Sequence, residues 1–320
     1  PEEEYVTKMK NPENCVEFDN VQTYFFTDIG TVKSVDGVSF DVPQGKTVGI
    51  VGESGCGKST LGRTMIRLIN STEGKVFFDG QDINTFDKKQ LKNFRKDAQM
   101  IFQDPYSSIN PRMSVAQIIA EPMIVCKTEP NKKAREERVK QLMETVGLAS
   151  RFYNAYPHEL DGGRRQRIGI ARALAMKPKL IVCDEPVSAL DVSIQAQVIN
   201  LLMDIKKEMD LTILFIAHNL AVVKYFSDRI GVMYFGNMVE LADADELYDH
   251  PVHPYTKALL SAIPQPDPLS EKSKERLYYD PSIHDYSVEQ PRFQEIRPGH
   301  FVYASDSEME KYRKELEEQG

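Results

Sequence analysis

Short apolar runs separated by turns make up most of the first 80 residues. The run Val48-Gly49-Ile50-Val51 is uninterrupted, as in a strand buried on both faces. Residues 74–80, Gly-Lys-Val-Phe-Phe-Asp-Gly, look like another strand closed by Asp79-Gly80, a pair typical of tight hairpin turns. Residues 16–51 likewise alternate short strand-like runs with turns. The sequence therefore predicts a strand-rich N-terminal region.

A helical pattern begins after residue 104. Ser114 and Gln117 have the spacing of a capping box, in which each side chain bonds the other residue's backbone N–H. The apolar residues that share one helical face by their spacing are Val139, Leu142, Met143 and Val146. The simplest interpretation is a helix face packed on a neighbour. We therefore predict a helical insertion that ends near Gly147.

The second half of the chain alternates strand and helix patterns. Residues 179–183 and 211–217 are apolar runs of strand length, and residues 192–208 between them have helical character. Strand, helix, strand at this spacing is typical of a βαβ unit. An α/β fold with a mostly parallel sheet covered by helices is therefore predicted.

The composition changes after Ile263. Pro264, Pro266 and Pro268 alternate with polar residues, which predicts a linker or an extended arm. We expect residues 264–320 to form a separate tail with a short helix near its end. Ser305 and Glu308 are spaced to cap that helix, and the apolar residues on one of its faces are Met309, Tyr312 and Leu316.

Composition and charge exclude several classes of protein. The chain of 320 residues suggests two domains, or one large domain with an appendage. Its longest apolar stretch, residues 211–217, is far shorter than the roughly 18 residues that a membrane-spanning helix needs. The N-terminus has no basic segment before an apolar one, so no secretory signal is expected. A net charge of −8 argues against a protein that coats nucleic acid or anionic lipid.

The four cysteines lack the spacing of a disulfide framework or a zinc site. We interpret Cys15, Cys56, Cys126 and Cys183 as free thiols.

A P-loop motif follows the buried run at residues 48–51. Residues 52–59, Gly-Glu-Ser-Gly-Cys-Gly-Lys-Ser, match the pattern G-x-x-x-x-G-K-[ST], and residues 61–66 can continue as a helix. Backbone N–H groups of such a loop surround phosphate oxygens, Lys58 reaches the β- and γ-phosphates, and Ser59 can hold Mg²⁺. The motif alone does not separate kinases, GTPases and motor or transport ATPases.

Two adjacent carboxylates end the apolar run at residues 180–183. Asp184 is positioned to bind Mg²⁺ through water, and Glu185 to polarise an attacking water molecule. A solvated surface pair is the alternative, but four apolar residues precede the pair and Pro186 follows it. The pattern favours nucleotide hydrolysis.

From residue 16 to residue 263 the chain resembles the ATP-binding cassette (ABC) ATPases. Gln103 lies in a segment similar to the Q-loop, Ser188-Ala-Leu-Asp191 resembles the D-loop, and His218 resembles the H-loop histidine. Tyr24-Phe25 lies where the family stacks an aromatic ring on adenine, and Phe25 is our choice. Taken singly, these residues would more often be structural than catalytic.

The resemblance implies a set of site residues. The catalytic residues would be Glu185, His218 and Gln103, and the magnesium ligands Ser59, Gln103 and Asp184. The residues expected to bind ATP are Phe25, Gly52, Glu53, Ser54, Gly55, Cys56, Gly57, Lys58, Ser59, Thr60, Asp161, Gly162, Gly163 and Arg164.

The C-terminal part resembles the ATPases of the oligopeptide/dipeptide importers. Residues 250–264, His-Pro-Val-His-Pro-Tyr and onward, match their C-terminal signature, and residues 297–302 look like the second, F-type ATPase. The resemblance implies a P-loop NTPase fold of ABC type, with an N-terminal antiparallel β region. The ABC domain would span residues 16–263, with a helical subdomain at about 104–177, and the C-terminal extension residues 264–320.

The same resemblance implies partners and a location. The chain would pair with a second ABC ATPase on two membrane-spanning permease subunits, at the cytoplasmic face of the cell membrane. An extracytoplasmic peptide-binding protein would deliver the peptide, and no nucleic acid partner is expected. Some relatives carry an iron–sulfur cluster in the tail. No cysteine follows Cys183 here, so no cluster is predicted.

The signature loop departs from the family pattern. The family sequence Leu-Ser-Gly-Gly-Gln is here Leu160-Asp-Gly-Gly-Arg164. An ionised Asp161 suits a helix N-cap, but it cannot donate a hydrogen bond to the γ-phosphate and repels it. Arg164 would offset that repulsion by pairing with Asp161 or with the phosphate. Our hypothesis is an asymmetric heterodimer; in the rival interpretations, the loop tolerates both changes or they were introduced for study.

Other functions remain open from the sequence. A non-transport ABC ATPase that acts in DNA repair or translation is one alternative, although only 102 residues separate Lys58 from Leu160, too few for a long coiled coil. A regulatory module that holds ATP without hydrolysing it is another. The solute is also open, because nickel importers belong to the same subfamily.

Overall fold

The structure is a computed structural model that describes residues 13–263 and 276–319. Within these ranges the strands are β1 (Asn14–Thr27), β2 (Gly30–Pro43), β3 (Thr47–Val51), β4 (Glu73–Phe78), β5 (Gln81–Asp82), β6 (Ala98–Ile101), β7 (Leu180–Asp184), β8 (Thr212–Ile216), β9 (Arg229–Tyr234), β10 (Asn237–Asp243), β11 (Arg292–Arg297) and β12 (His300–Ala304). The α-helices are α1 (Lys58–Met65), α2 (Lys88–Asp97), α3 (Val115–Cys126), α4 (Lys132–Thr145), α5 (Gly162–Leu174), α6 (Val192–Met209), α7 (Leu220–Phe226), α8 (Ala244–Asp249), α9 (Pro254–Ser261) and α10 (Asp306–Gln319).

The larger sheet has eight strands in the order β11-β12-β10-β9-β3-β8-β7-β6. The five strands from β9 to β6 are parallel, and β10, β12 and β11 continue the sheet with antiparallel pairs. Every residue of β3, β7 and β8 is buried, as expected for strands covered on both faces. The mostly parallel sheet predicted from the alternating pattern is confirmed.

A second, antiparallel sheet is built from the N-terminal region in the order β2-β1-β4-β5. Strands β4 and β5 are joined at Asp79-Gly80, and both residues have positive φ, as the predicted tight turn requires. Apolar side chains from both sheets and from α1 share one buried cluster. The P-loop helix is thereby held between the two sheets.

The helices after residue 104 form the predicted insertion. Ser114 and Gln117 make the capping box at the start of α3. The predicted face of α4 is buried, and α4 ends at Thr145, just before Gly147. Helices α3, α4 and α5 contribute to the same buried cluster as the parallel strands.

The expectation of a separate tail is wrong for its described part, because two tail strands extend the larger sheet by backbone hydrogen bonds. Strand β12 pairs with β10, and β11 pairs with β12. The predicted terminal helix is confirmed as α10: Ser305 and Glu308 bond each other's backbone N–H, and Met309, Tyr312 and Leu316 are buried. The division into an ABC domain (16–263) and an extension (264–320) stays a prediction, and Pro264, Pro266 and Pro268 lie outside the described residues. None of the described helices is long and apolar enough to cross a bilayer.

A buried ionic cluster fastens β12 to β10. His300 donates from Nε2 to Glu240 Oε1 at 2.7 Å, and its Nδ1 is 3.1 Å from Glu246 Oε1. The side chains of His300 and Glu240 are fully buried. Burial disfavours the imidazolium, but the hydrogen bonds and charges of the two glutamates outweigh it and raise the pKa of His300. The protonated histidine therefore stabilises the folded chain.

Replacing His300 tests this cluster. Because the pKa of His300 is higher in the folded state than its unfolded value of about 6.5, its ionic stabilisation is fully present below that value. The stabilisation is lost as pH rises through the folded pKa. We expect His300→Gln to lower the free energy of unfolding by about 3 kcal/mol at pH 6, the lower end for breaking a buried ion pair, and by less at pH 9.

The measurement is urea-induced unfolding of both proteins at the two pH values. Exposed His158 offers the control, because His158→Gln should change stability little at either pH. An equal loss for His300→Gln at pH 6 and pH 9 would contradict the ionic role of His300.

Candidate nucleotide-binding site

The P-loop occupies residues 52–59, from the end of buried β3 into the first turn of α1. Gly57 caps α1 with φ near 105°, a backbone conformation that other residues rarely adopt. A Cβ atom at Gly57 would lie 1.9 Å from the carbonyl oxygen of Ser34 in β2. Only glycine therefore fits where the loop turns from strand to helix.

Lys58 is folded into this loop and is only 4% exposed. Its ammonium donates to the carbonyl oxygens of Gly52 at 2.8 Å and Glu53 at 2.9 Å. A buried charge needs such partners, because burial without them is costly. The loop thus fixes one positive charge on its inner side, as the P-loop motif predicts.

The remaining P-loop residues divide into buried and exposed groups. Gly55 has φ near 80° and open space around its Cβ position. Cys56 is buried, and burial raises the pKa of its thiol while Lys58 opposes the rise. The other predicted ATP-binding residues of the loop are Glu53 and Ser54, which are exposed, and Thr60, which is half-buried.

Asp184 ends β7 next to the P-loop helix. The Ser59 hydroxyl donates to Asp184 Oδ1 at 2.8 Å, although the two residues are 125 positions apart. Burial raises the pKa of the Asp184 carboxyl, and the Ser59 hydrogen bond and Arg63 oppose the rise. A divalent cation would add further positive charge beside this buried carboxylate. Hydroxyl and carboxylate oxygens are the ligands that Mg²⁺ prefers, so the two residues fit it.

Glu185, Gln103 and His218 converge beyond Asp184. Glu185 Oε2 lies 3.4 Å from Gln103 Nε2 and 3.3 Å from His218 Nδ1. The three residues follow β7, β6 and β8, whose carboxyl ends meet at one edge of the parallel sheet. Glu185 has φ near 46°, which is uncommon for a residue with a side chain. Its N–H donates to the Ile216 carbonyl, which holds the turn in place.

The predicted D-loop follows this turn directly. The Ser188 hydroxyl donates to the Glu185 carbonyl at 3.1 Å, and the Ser188 N–H donates to the same oxygen. Asp191 caps α6 without a side-chain hydrogen bond to the helix, and Val192 beside it is 83% exposed. The D-loop therefore presents Asp191 and Val192 outward.

The signature loop opens α5 with Asp161 as its N-cap, as predicted. Asp161 Oδ1 accepts the Arg164 N–H at 2.8 Å, and Oδ2 pairs with the Arg164 guanidinium at 2.7 Å. Of the two pairings considered for Arg164, the structure shows the one with Asp161. The pair is partly exposed, so it adds only about 0–1 kcal/mol to stability. It does offset the negative charge that Asp161 brings to the loop.

The signature glycines allow close packing of α5 on the D-loop and on α6, the helix that follows it. A Cβ at Gly163 would lie 2.6 Å from Ile194, and one at Gly162 would lie 3.2 Å from Leu190. Arg165 anchors the same helix, since its side chain is buried over the Tyr106 ring at 3.6 Å. The position of the signature loop is thus fixed by packing within this chain.

Phe25 lies in β1 opposite Val32 and is 39% exposed. Ser34, which contacts the P-loop at Gly57, is two residues from Val32 in β2. Tyr24, the neighbour of Phe25, donates a hydrogen bond to Asp36 and does not have a free hydroxyl. Stacking of Phe25 on adenine stays a prediction.

Some residues that shape the site do not belong to any of the sequence motifs. The Ser34 carbonyl fits against Gly57, and the Gly236 N–H donates to the Cys56 carbonyl at 2.9 Å. Both lie in turns or strands distant in sequence from the P-loop. The only sequence signal was Gly236 itself, a turn residue between two apolar runs.

Two family models match the chain. The ABC transporter model matches residues 35–188, and the model for the oligopeptide/dipeptide transporter C-terminal region matches residues 239–288. The first range includes the P-loop, Asp184 and Glu185.

Curated relatives match over nearly their whole length. The chain is 56% identical to the oligopeptide transport ATP-binding protein OppF of Bacillus subtilis (strain 168), over 94% of this chain and 99% of that protein. It is 48% identical to the dipeptide transport ATP-binding protein DppF of Lactococcus lactis subsp. cremoris (strain MG1363), over 96% of this chain and 99% of that protein.

A solved structure has a similar fold. The dimeric, post-hydrolysis structure of the ATP-binding cassette MJ0796, bound to ADP and Pi, superposes with a TM-score of 0.66 at 28% identity. The match covers 72% of this chain and 98% of MJ0796. The ABC cassette fold expected from the sequence is confirmed.

The packing at Gly57 generates a prediction about stability. Gly57→Ala combines a strained positive φ with a clash against the Ser34 carbonyl, whereas Gly80→Ala has a positive φ in open space. We expect Gly80→Ala to cost about 1 kcal/mol and Gly57→Ala about 1–3 kcal/mol more, since backbone must shift. Thermal unfolding of the two variants measures the difference. Equal losses would contradict the close approach of β2 to the P-loop.

Proposed function

The chain belongs to the ABC transporter family, and from this premise we propose that it binds and hydrolyses MgATP at the P-loop to power the import of oligopeptides or dipeptides. The observation that carries hydrolysis is the convergence of Gln103, Glu185 and His218 beside the Ser59–Asp184 pair. Relatives that are 56% and 48% identical are named as oligopeptide and dipeptide transport ATP-binding proteins, which supports a peptide substrate.

Each P-loop group has a role in binding ATP. Backbone N–H groups of the loop and the Lys58 ammonium bind the phosphates, and Phe25 stacks on adenine. Ser59, Asp184 and Gln103 would hold Mg²⁺, which when bound offsets negative charge on the β- and γ-phosphate oxygens.

The hydrolytic step uses the cluster beyond Asp184. Glu185 accepts a proton from the attacking water, whose oxygen forms a bond to the γ-phosphorus while the bond to the ADP oxygen breaks. His218 and Gln103 hold the Glu185 carboxylate by their contacts of 3.3 and 3.4 Å. The products are ADP and inorganic phosphate.

Energy is coupled to transport through closure of two ATPase subunits. The signature loop of one subunit completes the site on the other, so ATP gains contacts only in the closed dimer. Closure of the ATPase dimer drives the change in the permeases, and hydrolysis returns the dimer to its open state. Gln103 leads directly into the helical insertion, which provides a route for this motion to the permease subunits.

The chain works as part of an importer complex with membrane permeases. We propose two permeases, a second ABC ATPase, and an extracytoplasmic binding protein that delivers the peptide. The chain would lie peripherally on the cytoplasmic face of the membrane. No iron–sulfur cluster is proposed, because no cysteine follows Cys183.

The two ATP sites of the heterodimer are proposed to differ. The site with this chain's Lys58, Asp184 and Glu185 faces the partner's signature loop. The opposite site is completed by Asp161, whose oxygens accept hydrogen bonds from Arg164 and have none to donate. That second site would hydrolyse ATP slowly or not at all.

Glu185→Gln tests the hydrolytic role. Gln keeps the size of the side chain and cannot accept the proton, so turnover by the reconstituted importer should fall about 10²- to 10⁴-fold. ATP should remain bound in a closed dimer. The measurement is phosphate release together with retained nucleotide, with exposed Glu208→Gln, outside the helical insertion, as the control. Unchanged turnover in Glu185→Gln would remove Glu185 as the general base.

Asp161→Ser/Arg164→Gln tests the asymmetry. Restoring a hydroxyl donor should raise turnover at the second site about tenfold or more, since one such donor contributes on the order of 10²-fold to kcat. The measurement is ATPase rate and nucleotide occupancy of the reconstituted pair. Lys207→Gln/Glu208→Ser changes one exposed residue of each charge outside the helical insertion and is the control. No gain in rate or occupancy would defeat the asymmetry.

A further inference from the structure

The C-terminal region makes a direct hydrogen bond to the P-loop. The Glu53 N–H donates to the Tyr255 hydroxyl oxygen at 3.0 Å, across 202 residues of sequence. Tyr255 lies in the first turn of α9 and is only 2% exposed. Tyr255 lies outside the P-loop motif and outside the Glu185, Gln103 and His218 cluster.

The bonded peptide group also holds the P-loop lysine. The Glu53 N–H and the Gly52 carbonyl belong to one planar peptide unit and point in opposite directions. Tyr255 binds the N–H, and the Lys58 ammonium binds the Gly52 carbonyl at 2.8 Å. Fixing one end of the unit fixes the other. The hydrogen bond to Tyr255 therefore helps to fix the Gly52 carbonyl oxygen, which accepts from the Lys58 ammonium.

The Tyr255 ring is itself held firmly. It packs against Tyr234 at 4.6 Å and Tyr279 at 5.5 Å between ring centroids. Its backbone N–H donates to His253 Nδ1 at 3.1 Å. Burial raises the pKa of the Tyr255 hydroxyl, so the group stays neutral. The hydroxyl is thus placed by packing before any nucleotide arrives.

The support continues into the tail. Glu240 accepts the N–H groups of Val252 at 2.8 Å and His253 at 2.9 Å, and it pairs with His300 of β12. These contacts fix the segment that leads into α9. An unbroken series of hydrogen bonds therefore connects β12, through Glu240 and His253, with Tyr255 and the P-loop.

We propose that Tyr255 is a positioning residue for MgATP binding, through which the C-terminal region fixes the Gly52–Glu53 peptide and with it Lys58. This inference rests on the proposed function of the P-loop. Tyr255 acts on the loop and does not touch the nucleotide. Because the loop binds phosphates before and during reaction, loosening it weakens binding more than it slows the chemical step.

Tyr255→Phe is the test variant, because it removes the hydroxyl and keeps the ring packing. The matched control is Tyr312→Phe, which removes the hydroxyl of a tyrosine that is 4% exposed. Tyr312 packs with Met309 and Leu316 of α10 in a buried apolar cluster. Calorimetry with MgATP measures the Kd of each full-length chain. Hydrogen exchange of the 48–57 backbone reports on the loop, and the reconstituted importer gives kcat and KM.

The expected result separates the two variants. Tyr255→Phe should raise Kd and KM for MgATP about threefold to tenfold, the loss typical of one hydrogen bond, while kcat changes less than about twofold. Exchange in the 48–57 backbone should become faster. Tyr312→Phe should match the unchanged protein in Kd, KM and loop exchange.

Two outcomes would overturn the inference. If Tyr255→Phe and Tyr312→Phe have the same Kd and KM as the unchanged protein, Tyr255 does not position the loop. If Tyr255→Phe lowers kcat or the active fraction without changing KM, its role is structural. An unchanged protein that neither binds nor hydrolyses MgATP would instead overturn the proposed function.

Discussion

The hydrogen bond from the Ser59 hydroxyl to the buried Asp184 carboxylate joins the two halves of the nucleotide site. Ser59 lies in the first turn of α1, the P-loop helix that follows β3, and Asp184 ends β7, with β8 between the two strands. Parallel pairing brings the carboxyl ends of these strands to one edge. The same register places Glu185 beside Gln103 and His218. The arrangement of the candidate site thus follows from strand order in a buried parallel sheet.

The tail is fastened to this arrangement by charge as well as by strand pairing. Buried Glu240 accepts two backbone N–H groups and pairs with His300, so the cost of burying its charge is compensated. The same glutamate fixes the approach to α9, whose Tyr255 meets the P-loop. The C-terminal region therefore helps to shape the nucleotide site, far from it in sequence.

Local patterns predicted much of the fold, and the structure brings the predicted Ser59, Asp184 and Glu185 close together. The P-loop, the Asp184-Glu185 pair and the capped helix α3 depend on residues close in sequence, so their spacing identifies them. The pairing of β12 with β10 could not be predicted, because buried Glu240 in β10 looks in sequence like an exposed position. The Tyr255–Glu53 contact was missed for a similar reason, since no local pattern links residues 202 positions apart. The stacking role of Phe25 stays a prediction.

The affinity for ATP with and without Mg²⁺ tests most directly whether the P-loop and the acidic strand end act on one nucleotide. Calorimetric titrations would compare the unchanged chain with Asp184→Asn, each in Mg²⁺ and in excess EDTA. The account predicts that Mg²⁺ strengthens ATP binding by the unchanged chain and that this gain disappears in Asp184→Asn. An equal gain in both proteins, or no binding by the folded chain, would contradict it.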